Sequence, residues 1–312
     1  QLHWPAARTM KVAQQLYEGV RLGREGAVGL ITYMRTDSFR VAAGALAEVR
    51  ELIGRTFGPA QVPEKPVFRA RRKHAQDAHE AIRPTYVQRT PESLRPWLND
   101  EQSRLYRLIW RRFVASQMKP AVYRLTEAEI AAGRARFAAR GREMLFDGHT
   151  ALTGHELREG EQILPPLAAG DRPSLQHLHP TRRFTEPPPR YTEASLVRTL
   201  EKHGIGRPST YAPILGKIRE HYVREEGRAL VPTELGELVV AKLVGHFDAL
   251  LGTGFTARME KQLDLVEEMA AHEDHFTFKR EAAELKGDVC PKMCFVYGPK
   301  TVLVEVFLIK GD

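Results

Sequence analysis

The segment Gly29-Leu30-Ile31-Thr32-Tyr33-Met34-Arg35-Thr36-Asp37-Ser38 sets a phenol and a guanidinium two residues apart at the end of an apolar run. Leu30 to Tyr33 reads as a short strand. If the extended backbone persists through Met34, period-two geometry sends Tyr33 and Arg35 to one face. Such a pair suits phosphoryl chemistry, with the tyrosine oxygen as nucleophile and the arginine gripping a phosphate through two parallel hydrogen bonds. A free phenol has a pKa of about 10, so attack at neutral pH needs a positive surrounding or a base. Thr36, Asp37 and Ser38 are N-cap residue types, and Val41, Ala45, Val49 and Leu52 recur at helical spacing up to a stop at Gly54. A helix N-terminus, which favours anions, is therefore expected close to Tyr33. By residue type alone the pattern also fits a tyrosine that merely packs.

Two other segments carry chemically capable residues. Ala75-Gln76-Asp77-Ala78-His79-Glu80-Ala81-Ile82-Arg83-Pro84-Thr85 sets a histidine beside a glutamate but lacks the second histidine of a zinc-protease helix, so a zinc hydrolase is rejected. Gly204-Ile205-Gly206-Arg207-Pro208-Ser209-Thr210 connects two expected helices. Its glycines let the backbone approach a ligand, Ser209 or Thr210 can cap the next helix, and that helix start with Arg207 makes a phosphate cradle. The same spacing also fits a plain helix connection.

In this order the three segments resemble the signatures of type IA DNA topoisomerases. The form of residues 79–85, with Met34 after the tyrosine, is closer to the bacterial topoisomerase I branch than to topoisomerase III. The resemblance covers about residues 8–285. It implies that Tyr33 bonds transiently to a 5′ phosphate of cleaved single-stranded DNA, with Arg35 and His79 supporting charge and geometry. Arg190 and Tyr191, which precede the third segment, then add a charge and a stacking face to Arg207, Ser209 and Thr210 for single-stranded DNA. It further implies an enzyme that relaxes negatively supercoiled DNA without ATP, working as a monomer in the cytoplasm at the nucleoid.

The resemblance also places Mg²⁺ on an Asp-x-Asp pattern in an N-terminal Toprim domain, with a glutamate and a lysine beside the tyrosine. No Asp-x-Asp occurs in this sequence. No metal ligands are assigned here, and the chain is expected to be a catalytically incomplete core. The competing expectation is a single-stranded DNA-binding fragment without turnover, and a nuclease would need a metal centre that the sequence does not offer.

The elements that must position these residues read as α+β and multidomain. A mostly helical tyrosine-bearing domain is expected over 1–119, a β-rich arch segment over 120–182, a helical DNA-groove domain over 183–286 and an atypical tail over 287–312. Helical stripes run through Met10, Ala13, Leu16 and Tyr17, then Leu105, Leu108, Ile109, Phe113 and Val114. Alternating runs punctuated by Gly133, Gly141, Gly148 and Gly160 suggest antiparallel sheet, and Pro187-Pro188-Pro189 a stiff junction. Helices return through Leu196 and Leu200, Ile214 and Ile218, Leu235 and Val239, and Met259 and Leu263.

With 312 residues and 42% hydrophobic content, the chain can bury substantial cores. Its 47 Lys and Arg against 39 Asp and Glu point toward a polyanionic partner, or equally a merely basic protein. Cys290 and Cys294 exclude a disulfide framework. They resemble half a zinc knuckle with an extra residue between them, so a four-ligand zinc site is not expected. Residues 301–309 read as one apolar strand. No membrane span or secretion signal is apparent, and a start at Gln1 suggests a piece of a longer or processed protein.

Overall fold

In the computed structural model, which describes residues 2–67, 80–154, 162–270, 277–279, 293–297 and 300–304, the chain divides into two units, Gln1–Pro189 and Arg190–Asp312. Helices and small sheets alternate in an α+β architecture, the class expected from sequence.

The first unit is built on amphipathic helices. Helix α1 (Ala6–Glu18) buries Val12, Ala13 and Leu16 and stops at Gly19, whose φ of 127° is open to glycine. The short strands β1 (Val20–Arg21) and β2 (Ala27–Val28) pair antiparallel. Helix α2 (Ala43–Phe57) buries Leu46, Val49, Leu52 and Ile53. The single turn α3 (Pro91–Leu94) precedes α4 (Asp100–Ser116), which opens with a capping box between Asn99 and Gln102 and buries Leu105, Tyr106, Trp110, Phe113 and Val114. These faces close on Leu30, Ile31 and Met34 in one apolar core. The two buried polar rings are satisfied, Trp110 Nε1 donating to Val87 O at 2.8 Å and the Tyr106 hydroxyl to Arg89 O at 2.6 Å.

Two boundaries differ from expectation. Helix α2 starts at Ala43, well past Thr36–Ser38, because those hydroxyls serve local turns: Thr36 Oγ1 accepts the Ser38 N–H at 3.0 Å and Ser38 Oγ the Arg40 N–H at 3.2 Å. The helix also runs through Gly54 and ends at Gly58. The β-rich region is a single long hairpin, β3 (Val122–Ala132) with β4 (Ala135–Phe146), followed by the turn α5 (Thr150–Thr153). The described residues 163–190 carry no strand. Pro165, Pro166, Pro173 and Pro180, together with Pro187 to Pro189, remove ladder donors along that stretch.

In the second unit, α6 (Glu193–His203) opens with a capping box between Thr192 and Ser195 and ends at Gly204 in the left-handed conformation. Helix α7 (Tyr211–His221), the hairpin β5 (Val223–Glu226) and β6 (Ala229–Pro232), α8 (Glu234–Leu251, broken at Phe247) and α9 (Thr253–Ala270) follow. Strands β7 (Thr277–Lys279), β8 (Met293–Tyr297) and β9 (Lys300–Val304) form an antiparallel sheet in that order. Of the strand expected at 301–309, residues 301–304 lie in β9, while residues 305–309 and Cys290 lie outside the described residues. Among the described residues no helix is long and apolar enough to cross a membrane.

Candidate active site

The tyrosine segment is held from two sides. The Leu30 N–H donates to Leu16 O at 2.7 Å, while the Thr85 N–H donates to Leu30 O at 3.0 Å and the Thr32 N–H to Arg83 O at 2.9 Å. The hydroxyl of Thr32 donates to Ala81 O at 2.8 Å and accepts the Arg83 N–H at 2.9 Å. Thr85 Oγ1 donates to Gly29 O at 2.8 Å. The strand expected at 30–33 is thus a single antiparallel bridge, Ile31 with Pro84, continued by side-chain hydrogen bonds. It seats the second motif against the first.

Beneath this ladder Leu30, Ile31 and Met34 are buried, so the backbone on both sides of Tyr33 is anchored in the core. Gly29 is required by close approach: a Cβ there would stand 2.8 Å from Tyr17 O. Tyr33 itself emerges. The residue is 38% exposed, and its ring meets Tyr17 edge to face, with centroids 5.3 Å apart. Arg35 is exposed as well, with buried Met34 between them, although the backbone bends at Met34 and Arg35.

Glu80 and Arg83 lock the second motif. Their ion pair has side chains only 19% and 12% exposed, and the Glu80 carboxylate also accepts the Ala42 N–H at the start of α2. The helix N-terminus expected beside Tyr33 is therefore displaced to Ala43 and already holds an anion, the carboxylate of Glu80. His79 lies outside the described residues. Among the described residues no group of three His, Cys, Asp or Glu could hold a metal ion.

In the second unit, Arg190, Ser209 and Thr210 are exposed, and Tyr191 is 48% exposed with its carbonyl fixed by the Leu230 N–H at 2.7 Å. Thr210 does not cap α7 with its side chain. Its hydroxyl instead accepts the Arg207 N–H at 2.8 Å and closes the loop on itself. Arg207 reaches α9, with Nη2 at 2.6 Å from Asp264 Oδ1 and Nη1 at 3.4 Å from Glu260 Oε2. The Gly206 N–H donates to Glu260 Oε1 at 3.1 Å. Burial lowers the Arg207 pKa, but the hydrogen bond and charge of Asp264, with Glu260, outweigh it and hold the group above the ordinary arginine value.

Sequence reasoning singled out Tyr33, Arg35 and Arg207 but missed the groups that position them. Glu80 and Arg83 carry a signal, the i, i+3 spacing of opposite charges. Glu260 and Asp264 share one face of α9 at i, i+4, but nothing in the sequence joins that face to a loop far upstream.

Comparison with known proteins follows the same segments. The DNA topoisomerase family profile matches residues 1–277. Two proteins named DNA topoisomerase 1, from Xylella fastidiosa strains 9a5c and Temecula1, are each 44% identical over 275 residues, covering 85% of this chain and 34% of their own. The full-length topoisomerase I from Thermotoga maritima superposes with a TM-score of 0.73 at 32% identity, covering 97% of this chain and 53% of that one. The chain spans about a third of the length of the curated relatives it matches.

Proposed function

The chain belongs to the type IA DNA topoisomerase family, and from that premise we propose that Tyr33 is the nucleophile of a reversible single-strand DNA cleavage. The observation that carries this is the exposed Tyr33 phenol on a backbone fixed by Thr32, Arg83 and Thr85. A nucleophile held this way loses little entropy on approaching phosphorus.

In the proposed step the Tyr33 oxygen attacks a backbone phosphorus and gives up its proton. The bond from phosphorus to the 3′ oxygen breaks, and that oxygen takes up a proton as it leaves. The product is a 5′-phosphotyrosine and a free 3′ hydroxyl. Attack by that hydroxyl on the phosphotyrosine restores the strand and returns the proton to Tyr33. One phosphodiester replaces another at each stage, so no ATP is consumed. Arg35 and His79 are assigned the support of charge on the phosphate. Arg190, Tyr191, Arg207, Ser209 and Thr210 are assigned to single-stranded DNA, Tyr191 by stacking and the others through phosphate. For Arg207 this means exchanging the Asp264 carboxylate for a phosphate oxygen.

Relaxation of negatively supercoiled DNA by the whole protein, acting as a monomer at the nucleoid, belongs to the same proposal. Mg²⁺ is assigned to Toprim carboxylates outside residues 1–312. Among the described residues no cluster of His, Cys, Asp or Glu fits a metal site. The second reading is a single-stranded DNA-binding portion without turnover, and it rests on the exposed Arg190, Tyr191, Ser209 and Thr210.

A denaturing gel of the chain with 3′-labelled single-stranded DNA and Mg²⁺, with Tyr33→Phe as control, separates the two. A labelled adduct that depends on Tyr33 supports cleavage. DNA retention on a native gel without an adduct supports the binding portion, and neither adduct nor retention defeats both.

A further inference from the structure

The exposed face of α4 holds a feature that neither Tyr33 nor the 204–210 loop uses. Arg104, Arg107 and Arg111 recur at i, i+3 and i+7 and so form one stripe, with Arg112 alongside. His3 and His149 join them in lining an open groove of about 1190 Å³ that has no aspartate or glutamate among its lining residues. The opposite face of the same helix is the one packed into the core.

An ordinary solvated helix face intersperses both signs of charge. From Ser103 to Ser116, α4 has four arginines and no acid. The acids at its start are engaged elsewhere, Glu101 with Arg8 and Asp100 with Arg95. Two of the arginines also have structural work, Arg104 lying over the Trp4 ring at 5.5 Å and Arg111 donating to Leu152 O at 3.0 Å. Arg107 and Arg112 are exposed, and among the described residues neither guanidinium has a hydrogen bond or an ion pair. Glu156, Glu159 and Glu161 are the next acids along the chain after the lining residue Gly154 and lie outside the described residues.

We propose that this groove binds the phosphodiester backbone of DNA at a site additional to the one that holds the strand to be cut. The proposal rests on the reading that the chain acts on DNA. The stripe from Arg104 to Arg111 covers roughly 10 Å of helix axis at about 1.5 Å per residue, which matches about three nucleotides at about 3.4 Å each. Guanidinium groups suit phosphate oxygens, and contact with the backbone alone carries no sequence preference.

The test is equilibrium binding of the full chain to fluorescent single-stranded and double-stranded oligonucleotides across a salt series. Tyr33→Phe, Arg107→Gln/Arg112→Gln, and Arg24→Gln/Arg134→Gln as a control of equal charge are measured alongside. Loss of two phosphate contacts is expected to flatten the plot of log K against log salt by about 1.4 for the single strand or about 1.8 for the duplex. A flattening seen with one form of DNA and absent with the other identifies which form the groove takes. Tyr33→Phe and the control pair are expected to keep the parent slope, and all variants the parent melting curve. If the parent binds but Arg107→Gln/Arg112→Gln keeps its slope, or the control pair flattens it equally, the groove proposal is overturned while the proposed function stands. If the parent binds neither oligonucleotide, both are overturned.

Discussion

Glu80 and Arg83 form a two-pronged ion pair, with Nη2 to Oε2 at 2.9 Å and Nε to Oε1 at 3.2 Å. The same carboxylate caps α2 at the Ala42 N–H, and the Arg83 backbone pairs with Thr32. One short segment thus ties the tyrosine loop to the helix behind it.

Removing the carboxylate should therefore act at two places. Glu80→Ala leaves the largely buried Arg83 side chain without its partner and the α2 start without its acceptor, at a combined cost of about 2–3 kcal/mol. Glu80→Gln can still accept from Ala42 and should cost about half as much. Trp4, Trp97 and Trp110 all lie in the first unit, so tryptophan fluorescence during urea unfolding reports on this unit alone. Equal losses for the two variants would mean that the cap at the Ala42 N–H contributes nothing, and the two-place account would fail.

Gly29 gives a steric prediction. The Cβ of Gly29→Ala would press on the Tyr17 carbonyl at 2.8 Å, and backbone on both sides is hydrogen-bonded, so relief requires moving the tyrosine segment. The expected loss is about 1–3 kcal/mol. Gly44→Ala, inside α2 with nothing within 4 Å of the added Cβ, should instead gain up to about 1 kcal/mol. Parallel melts that rank the two variants in the opposite order would refute this account of Gly29.

Much of the frame was legible in the sequence because it is local. The stripe through Met10, Ala13 and Leu16 gave α1, and residues 192–204 carry both a capping box and a terminal glycine within a few positions. The missed features are tertiary. Thr36 to Ser38 are good cap residues, yet the cap of α2 comes from Glu80, far along the chain, and leaves those hydroxyls to local turns. Arg207 was legible as a cation beside a flexible backbone, but its neighbours Glu260 and Asp264 come from α9. Side-chain partners brought in by folding leave little trace in local periodicity.

Tyr106 predicts an alkaline dependence. Burial raises its phenol pKa well above 10, against a smaller lowering by the charge of Arg89. The folded value exceeds the unfolded one, so the stability gained by keeping the phenol neutral is fully present below about pH 10 and is lost as pH rises beyond it. At pH 8, Tyr106→Phe should be about 1 kcal/mol less stable than the parent through loss of the bond to Arg89 O. Above pH 10 the parent should lose about 1.4 kcal/mol per pH unit relative to the variant, which reverses their order within about one unit. Unfolding curves at pH 8, 10 and 11 check this, and a constant difference between the two proteins would exclude it.

In the proposed phosphate-holding role of the 204–210 loop, Asp264 is the competitor for the Arg207 guanidinium. Nη2 of Arg207 sits 2.6 Å from Asp264 Oδ1, with both side chains partly exposed, at 32% and 21%, so a phosphate oxygen can compete for the same donor. Asp264→Asn removes that competitor while keeping the side chain's shape, and should tighten single-stranded DNA binding several-fold at low salt. Arg207→Ala should weaken it and, by leaving Asp264 and Glu260 without their cation, cost about 1–3 kcal/mol of stability in the second unit. Titrations with a labelled oligonucleotide give both affinities. If Asp264→Asn weakens binding as much as Arg207→Ala, the ion pair shapes the loop and the guanidinium is not a phosphate ligand.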